Sequence, residues 1–320
     1  MRQKRIYPFY FLREGNMKKR LKRLLKKYQT PLWLMAKAFL LLFFILIVYS
    51  VSSKVNNKKT EQTKLQEEPT AVKAHTTVVD AKPTIMPTSS LPPARVTYPS
   101  QILNLTNWKI TLPTGVQKDA TEIEQPELTT YNIDPWFIVV PEGNGVRFRA
   151  AVNGATTSGS DYPRSELREM TNNGRKKASW SSGIGIHTMF LDQAITAVPK
   201  IKRDIVAGQI HDANKDIIAI RLDYPILHIR VDGKNLHTLD SSYILGKRFT
   251  IKFVVNDGQT KVYYNNSSNP VYTLNKKYSD AYFKTGVYTQ SNCSREGSSS
   301  VCNDNNYGEV VVYQATVTHQ

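Results

Sequence analysis

The chain has 320 residues, 40% of them hydrophobic, and a formal net charge of +17. This length accommodates one large domain with appendages. The charge is unevenly distributed, because residues 1–99 hold 19 Lys and Arg against 5 Asp and Glu, whereas residues 100–320 hold 24 against 21. A nearly neutral globular part lacks the broad basic surface that follows a phosphate backbone, so we expect no nucleic-acid partner.

The N-terminal segment has the charge pattern of a membrane anchor. Eleven Lys and Arg fall within residues 1–27, and an apolar run from Leu32 to Val51 follows, interrupted only by Lys37. A helix of this length spans about 30 Å, the thickness of a hydrocarbon core, and its basic flank stays in the cytoplasm. We therefore predict a cytoplasmic stretch 1–31, a transmembrane signal anchor 32–51 and an extracytoplasmic remainder. The alternative is a cleaved signal peptide and a secreted product.

Residues 52–97 have the composition of a linker. They are rich in Lys, Thr, Glu, Pro and Ser, with hardly any aromatic residues. Such a segment cannot bury enough apolar surface to fold, so it is predicted to be a disordered stalk stiffened by its prolines.

From residue 98 onward, short β-rich runs alternate with turn signals. Turns are indicated by the pairs Asn153-Gly154, Asp232-Gly233 and Asp257-Gly258. No long 3.6-residue apolar period occurs after residue 100, so residues 98–320 are predicted to form one all-β domain, an antiparallel β-sandwich of the jelly-roll kind. The predicted strands are 108–112, 136–140, 146–150, 184–191, 205–211, 217–222, 226–231, 249–256, 261–264, 281–288 and 307–317.

The segment Tyr-Pro-Arg-Ser-Glu-Leu-Arg-Glu-Met at residues 162–170 carries the densest charge pattern of this domain. In a strand, Arg164, Glu166 and Arg168 share one face. Two guanidinium groups around one carboxylate suit a wet cleft that binds a carboxylated substrate through bidentate pairs. The alternative is a surface helix with ion pairs at spacings of three and four residues.

The segment Gly-Gln-Ile-His supplies a second candidate strand. Alternation places Gln209 and His211 on one face and Ile210 on the other. A single histidine in a strand is more often structural than catalytic, so this segment alone does not establish a site.

The segment Ala-Tyr-Phe-Lys-Thr-Gly-Val-Tyr-Thr-Gln at residues 281–290 is the third candidate. Its alternation places Tyr282, Lys284, Tyr288 and Gln290 on one face. An exposed strand decorated with Tyr and Lys is the simpler interpretation, but Gly286 in mid-strand often marks the close approach of a ligand or another backbone. If the three segments share a sheet, they line a cationic, aromatic groove suited to an acidic polysaccharide.

These three motifs together resemble the signature of alginate lyases of polysaccharide lyase family 7. The matching segments are Arg164–Arg168, Gln209–His211 and Tyr282–Gln290, and the resemblance extends over residues 100–318. The third motif departs from the family pattern at Thr285 and Thr289, where the family usually has Ala and Asn, and both tyrosines are kept.

The resemblance implies a concanavalin-like jelly roll that cleaves 1,4-linked uronate chains by β-elimination, with no cofactor and no metal. It assigns neutralisation of the substrate carboxylate to Arg164 and Gln209, assisted by Arg168. His211 and Tyr288 match the groups that remove the C5 proton and protonate the leaving O4. For guluronate His211 would be the base and Tyr288 the acid, whereas for mannuronate Tyr288 could serve as both.

The resemblance also predicts substrate contacts and a substrate preference. Ile between Gln and His accompanies activity on guluronate-containing blocks in this family, so Ile210 favours polyguluronate or mixed blocks. A non-catalytic uronate-binding jelly roll is the main alternative. A glycoside hydrolase is a third, although no second acid pairs with Glu166. Glu166 is expected to orient Arg164 and Arg168. The residues assigned to substrate binding are Glu166, Arg168, Tyr282, Lys284 and Gln290.

The chain contains two cysteines, Cys293 and Cys302, nine residues apart in a Ser- and Asn-rich segment. In an oxidising compartment we expect a local disulfide between them. A zinc site is not expected, since no C-x-x-C motif or nearby histidine pair accompanies them, and nothing resembles a calcium loop. The catalytic domain is predicted to be monomeric.

Overall fold

Antiparallel β-strands make up most of residues 96–320, which are the residues described by this computed structural model. The predicted cytoplasmic stretch 1–31, the predicted anchor 32–51 and nearly all of the predicted linker 52–97 lie outside the described residues. Within residues 96–320, no helix has the length and apolar character needed to span a bilayer.

Sixteen strands are present in this part of the chain, and the helical elements are single turns. The 3-10 turns are Pro99–Gln101, Glu127–Thr130 and Ser299–Val301, and the α-helical turn is Cys293–Glu296. The strands are β1 Trp108–Val116, β2 Asp119–Ile123, β3 Phe137–Val139, β4 Val146–Ala151, β5 Arg164–Thr171, β6 Lys176–Lys177, β7 His187–Ala197, β8 Asp204–His211, β9 Asp216–Asp223, β10 Ile226–Val231, β11 Lys234–Asp240, β12 Arg248–Asn256, β13 Gln259–Tyr264, β14 Tyr272–Asn275, β15 Tyr282–Thr289 and β16 Tyr307–His319.

The strands form two sheets in which every pairing is antiparallel. The first sheet has the order β11-β10-β9-β8-β15-β5-β1-β2, with β6 paired to β5, and the second has the order β14-β13-β12-β7-β16-β4-β3. Strands that are neighbours in a sheet are often far apart in sequence, as in a jelly roll. The predicted all-β, antiparallel sandwich is therefore confirmed for the described residues.

The core lies between the sheets because alternate residues of each strand face inward. Leu167 and Ile210 of the first sheet belong to one buried cluster with Phe148 and Phe253 of the second. All four side chains are fully buried. Burial of this kind stabilises a fold by about 25 cal/mol for each Å² of apolar surface removed from water. It also fixes strand register, since a slip of one residue would turn the polar face of a strand inward.

Two of the predicted turns close tight hairpins. Asp232 and Gly233 join β10 to β11 with φ of +46° and +76°, and Asp257 and Gly258 join β12 to β13 with φ of +49° and +73°. Positive φ at both central residues is typical of a type I′ turn, whose twist matches that of the flanking strands. Strands β2, β6, β11 and β14 were not predicted, since their sequences are largely polar.

Cys293 and Cys302 form the predicted disulfide. It closes the segment that follows β15, where the side chain of Asn292 caps the α-helical turn by accepting a hydrogen bond from Arg295 N. Within the same segment, the buried carboxylate of Glu296 accepts hydrogen bonds from the backbone N–H groups of Ile201 and Lys202. The segment is thereby tied to the loop that enters β8.

Candidate active site

The three motif segments become adjacent strands in the middle of the first sheet, in the order β8, β15, β5. Lys284 of β15 lies opposite Arg168 of β5 on one side and opposite Gln209 of β8 on the other. Segments that are separated by up to about a hundred residues in the chain are thus in direct register. The strand interpretation of residues 162–170 is correct, and the helix alternative is wrong.

Gly286 is required by the neighbouring backbone. It lies opposite Glu166 with φ of +121°, and a Cβ at this position would be 2.6 Å from the carbonyl oxygen of Ser165. Of the two explanations that the sequence allowed, close approach of another backbone is the one that the structure contains. On the other side of β15, the register with β8 shifts between Lys284 and Tyr288, so the two strands pair irregularly there.

Glu166 is contacted by polar side chains from all three of these strands, β5, β8 and β15. Its side chain is 1% exposed, and its oxygens accept hydrogen bonds from Arg164 Nη1 at 3.1 Å and from Gln209 Nε2 at 2.6 Å. The ammonium of Lys284 forms an ion pair with it at 2.6 Å. Burial alone would raise the pKa of Glu166, but Lys284 and Arg164 hold it below the usual value. The carboxylate is therefore ionised, and it can only accept hydrogen bonds.

Lys284 is also buried, although less completely than Glu166. Its residue exposure is 8%, and burial, with repulsion from Arg164 and Arg168, lowers its pKa to about 8 although Glu166 opposes the shift. One carboxylate is thus surrounded by more than one positive charge. An excess of cations in a partly dry cleft favours an incoming anion, because the field there is weakly screened.

The two arginines of the first motif have different surroundings. The guanidinium of Arg164 lies 3.8 Å from the ring centre of Tyr288, and that of Arg168 lies 3.8 Å from the ring centre of Tyr282. Arg168 Nη1 also donates to the carbonyl oxygen of Glu169 at 2.7 Å. Glu166 was expected to orient both arginines. Of these two, only Arg164 hydrogen-bonds Glu166 among the described contacts.

His211 has a defined tautomer. Its Nδ1 lies 2.5 Å from the carbonyl oxygen of Asp212, which can only accept, so Nδ1 carries the proton and Nε2 keeps its lone pair. The hydroxyl of Tyr282 lies 3.1 Å from the same Nδ1, and the two rings are stacked. Burial, reinforced by the nearby charge of Lys284, lowers the pKa of His211 below its usual value. The imidazole is therefore neutral near pH 7 and able to accept a proton at Nε2.

One cleft of about 320 Å³ brings the four predicted catalytic residues together. Arg164, Gln209, His211 and Tyr288 all line it, and Gln290 lines it as well. Ile210, between Gln209 and His211, faces the core and is fully buried. Among residues 96–320, no group of three His, Cys, Asp or Glu side chains has the arrangement of a metal site.

Two further residues, one that lines the cleft and one that contacts Tyr288, were not identified from the sequence. Ser160, in the loop before β5, places its hydroxyl 2.8 Å from that of Tyr288. Arg221 of β9 lines the cleft and donates to Gln290 Oε1 at 2.8 Å and to Asp204 Oδ2 at 2.9 Å. Arg221 is the one basic residue of β9 and interrupts the apolar run of residues 217–222, a signal that could have been used. Ser160 offers no comparable signal.

The site is a cationic cleft beside Tyr288 on one sheet of a two-sheet sandwich, with a charge that suits an extended acidic ligand. The family model described as alginate lyase matches residues 103–319, which is more than half of the chain. The chain therefore belongs to the alginate lyase family.

Solved structures agree with this membership. The chain is 49% identical to the alginate lyase AlgAT5 from polysaccharide lyase family 7, with a TM-score of 0.65 over 70% of this chain and 99% of that one. It is 48% identical to an alginate lyase from Corynebacterium sp., with a TM-score of 0.67 over 71% of this chain and 100% of that one. A substrate complex of a variant of alginate lyase A1-II′ is 26% identical, with a TM-score of 0.59 over 71% and 98%. The search of curated proteins gave no match.

Proposed function

We propose that this chain is an alginate lyase that depolymerises alginate by β-elimination. The observation that carries the proposal is the meeting of Arg164, Gln209, His211 and Tyr288 in one cleft. Family membership supports the substrate class, and the structure of a relative in complex with a substrate supports an acidic oligosaccharide as the ligand.

In this mechanism Arg164 and Gln209 neutralise the uronate carboxylate, which makes the neighbouring C5 proton acidic enough to remove. Because Glu166 accepts from Nε2 of Gln209, the amide presents a second N–H on the same nitrogen for the substrate. Arg164 Nη1 is held by the same carboxylate. Both donors are thus oriented before the substrate arrives, so little reorganisation is needed during the reaction.

His211 and Tyr288 divide the proton transfers. For a guluronate unit, Nε2 of His211 removes the C5 proton, the electrons of that bond form the C4=C5 double bond, and the C4–O4 bond breaks. The hydroxyl of Tyr288 donates its proton to the departing O4. For a mannuronate unit, Tyr288 acts as the phenolate, which takes the C5 proton and, as the resulting phenol, gives it to O4. The product carries an unsaturated uronate at its new non-reducing end.

The test is the appearance of that unsaturated end. Purified protein incubated with alginate should give the ultraviolet absorbance of a conjugated uronate, together with shortened chains. Binding of alginate with no such absorbance would instead identify a uronate-binding module. Saturated products would identify a hydrolase and would contradict β-elimination.

We also propose a preference for guluronate-containing blocks. Its support is the resemblance carried by Ile210, whose side chain is buried in the core. From there it can act only through the backbone positions of its neighbours Gln209 and His211. Initial rates on polyguluronate should exceed those on polymannuronate, and a clear mannuronate preference would refute the proposal.

The proposed location of the domain is outside the cytoplasm. It is supported by the basic and apolar pattern of residues 1–51 and by the disulfide between Cys293 and Cys302, a bond that persists in oxidising compartments. Fractionation of cells that express the whole chain should place the lyase domain in the membrane fraction and accessible to protease added outside. Recovery of the domain from the cytoplasm would refute it.

A further inference from the structure

The hydroxyl of Tyr288 has a specific partner in the loop that precedes β5. Ser160 Oγ lies 2.8 Å from Tyr288 Oη, 3.0 Å from Tyr162 N and 3.1 Å from Tyr162 O. With the guanidinium of Arg164 over the ring, Tyr288 is therefore held at both its face and its hydroxyl.

The hydrogen-bonding capacity of Ser160 matches both protonation states of Tyr288. A serine hydroxyl has one proton and two lone pairs. While Tyr288 is protonated, its O–H and the N–H of Tyr162 donate to Ser160 Oγ, and the serine proton goes to Tyr162 O. Once Tyr288 has given its proton away, the serine hydroxyl can rotate and donate to the phenolate, still accepting from Tyr162 N.

The loop that carries Ser160 is anchored on two sides. Lys118, in the turn between β1 and β2, donates through Nζ to Ser160 O at 2.9 Å and pairs with Asp161 at 2.6 Å. From the disulfide-closed segment, Asn292 Nδ2 donates to Asp161 O at 2.9 Å. Thr157 adds a backbone bridge to Lys118. Ser160 is thus supported by two separate elements and not by its own loop alone.

We infer that Ser160 is a positioning residue for the reaction, holding the Tyr288 hydroxyl in line with the scissile oxygen and stabilising the phenolate that forms during turnover. This inference rests on the proposed function. A hydrogen bond to a charged partner is stronger than one between neutral groups, so the contact contributes more to the reacting state than to substrate binding.

Kinetics of three variants test the inference. For Ser160→Ala we expect kcat to fall about 10-fold while KM changes less than about twofold, the pattern of an interaction made mainly in the transition state. Ser160→Thr keeps the hydroxyl and should restore kcat to within about threefold of the wild type. Ser158→Ala, in the same loop at an exposed position, is the matched control and should behave as the wild type.

A kcat of Ser160→Ala within about twofold of the wild type would overturn the inference, as would an equal loss in Ser160→Thr. If Ser160→Ala proves unstable, a double-mutant cycle of Ser160→Ala and Tyr288→Phe, read by thermal unfolding, tests the contact without turnover. Non-additive effects support the contact, whereas additive effects refute it. An inactive wild type would refute the proposed function, and the unfolding cycle would still decide on the contact.

Discussion

Glu166 and Glu169 are two buried carboxylates on the same strand, three residues apart and on opposite faces. Their exposures are 1% and 3%, and each accepts hydrogen bonds from three donors. By burial and by hydrogen-bond satisfaction they are equivalent. They differ in the charge of their partners, and that difference separates a candidate active site from a structural cluster.

The cluster around Glu169 is closed by its own hydrogen bonds. Its carboxylate accepts from Trp180 Nε1 at 3.0 Å, from Phe283 N at 2.8 Å and from His319 Nε2 at 2.6 Å. The Nδ1 atoms of His319 and His187 lie 2.7 Å apart, so one proton sits between them. Nε2 of His187 donates to backbone carbonyls. Each ring nitrogen of the two imidazoles therefore has a hydrogen-bond partner within the cluster, and none is left to bind a ligand.

The cluster around Glu166 is electrically open. Arg164 and Lys284 bring two positive charges to one carboxylate, and Gln209 keeps an N–H to donate. The cavity beside Glu169 is the larger, about 610 Å³ against 320 Å³ for the cleft beside Glu166. Cavity size therefore does not identify the candidate active site. The candidate site is the cleft beside Glu166, where positive charge is uncompensated and Gln209 keeps a free donor.

The largest expected effect is at the hydroxyl of Tyr288, whose ring contacts Arg164 of the cluster around Glu166. Tyr288→Phe should lower kcat by about 100- to 10,000-fold, the range for removal of a general acid or base, while alginate still binds. Turnover is read from the unsaturated product, and binding from retardation in an alginate-containing gel. Tyr263→Phe, on the second sheet, is the control and should be fully active. A Tyr288→Phe enzyme retaining more than about a tenth of kcat would refute the assignment.

The paired variants Glu166→Gln and Glu169→Gln test the comparison directly. Glu166→Gln should lower kcat/KM about 10- to 100-fold, because glutamine keeps one acceptor oxygen and no charge and so cannot orient both Arg164 and Gln209. Glu169→Gln should lower the free energy of unfolding by about 1–3 kcal/mol and leave kcat/KM of the folded enzyme unchanged. Steady-state kinetics and urea unfolding of both proteins provide the measurements. Equal losses of kcat/KM in the two variants would mean that the clusters are not functionally distinct.

Much of this arrangement can be predicted from alternation along single strands. The faces of β5, β8 and β15 follow from the two-residue period, and the apolar residues between the polar ones, such as Leu167 and Ile210, are in the core as expected. The family resemblance then links the three segments. The anchor and linker predictions concern residues that the structure does not describe, so they stay predictions.

What sequence reasoning missed depends on contacts between distant segments. The pairing of β15 with β5 places Lys284 against Glu166, a contact that neither strand signals by itself, and the expected contact of Lys284 with substrate stays a prediction. The partner of Tyr288, Ser160, comes from a loop 128 residues earlier in the chain, and no local pattern signals that meeting. Polar strands such as β11 form because a tight turn pairs them with an apolar neighbour, and composition does not show this.

The titration of Lys284 should have opposite effects on binding and on stability. Its pKa is lowered to about 8 from an ordinary 10.5, so above pH 8 the folded protein loses a charge that attracts the substrate. KM for alginate should therefore rise several-fold between pH 7 and 9. The unfolded chain keeps this proton up to about 10.5, so the contribution of Lys284 to the free energy of unfolding rises with pH between the two values.

Lys284→Met provides the control for this assignment. The variant should have a raised KM at every pH and should lack the rise of KM through pH 8, because the titrating group is gone. Kinetics across the pH range, together with urea unfolding at pH 7 and 9, measure both effects. If KM still rises through pH 8 in Lys284→Met, another group is responsible for the rise. That result would show that the charge of Lys284 does not attract the substrate.

The smallest effect is expected at the edge of the closed cluster. His319→Gln removes one hydrogen-bond partner of Glu169. The side chain of His319 is 40% exposed, so water and the donors Trp180 and Phe283 N compensate part of the loss. We expect the free energy of unfolding to fall by about 1 kcal/mol, with unchanged kcat and KM. His237→Gln, away from both clusters, is the control and should change none of the three quantities. A change of kcat in His319→Gln would show that the closed cluster is coupled to the cleft through β5. We expect no such coupling, because Glu169 and its partners lie on the opposite face of β5 from the cleft.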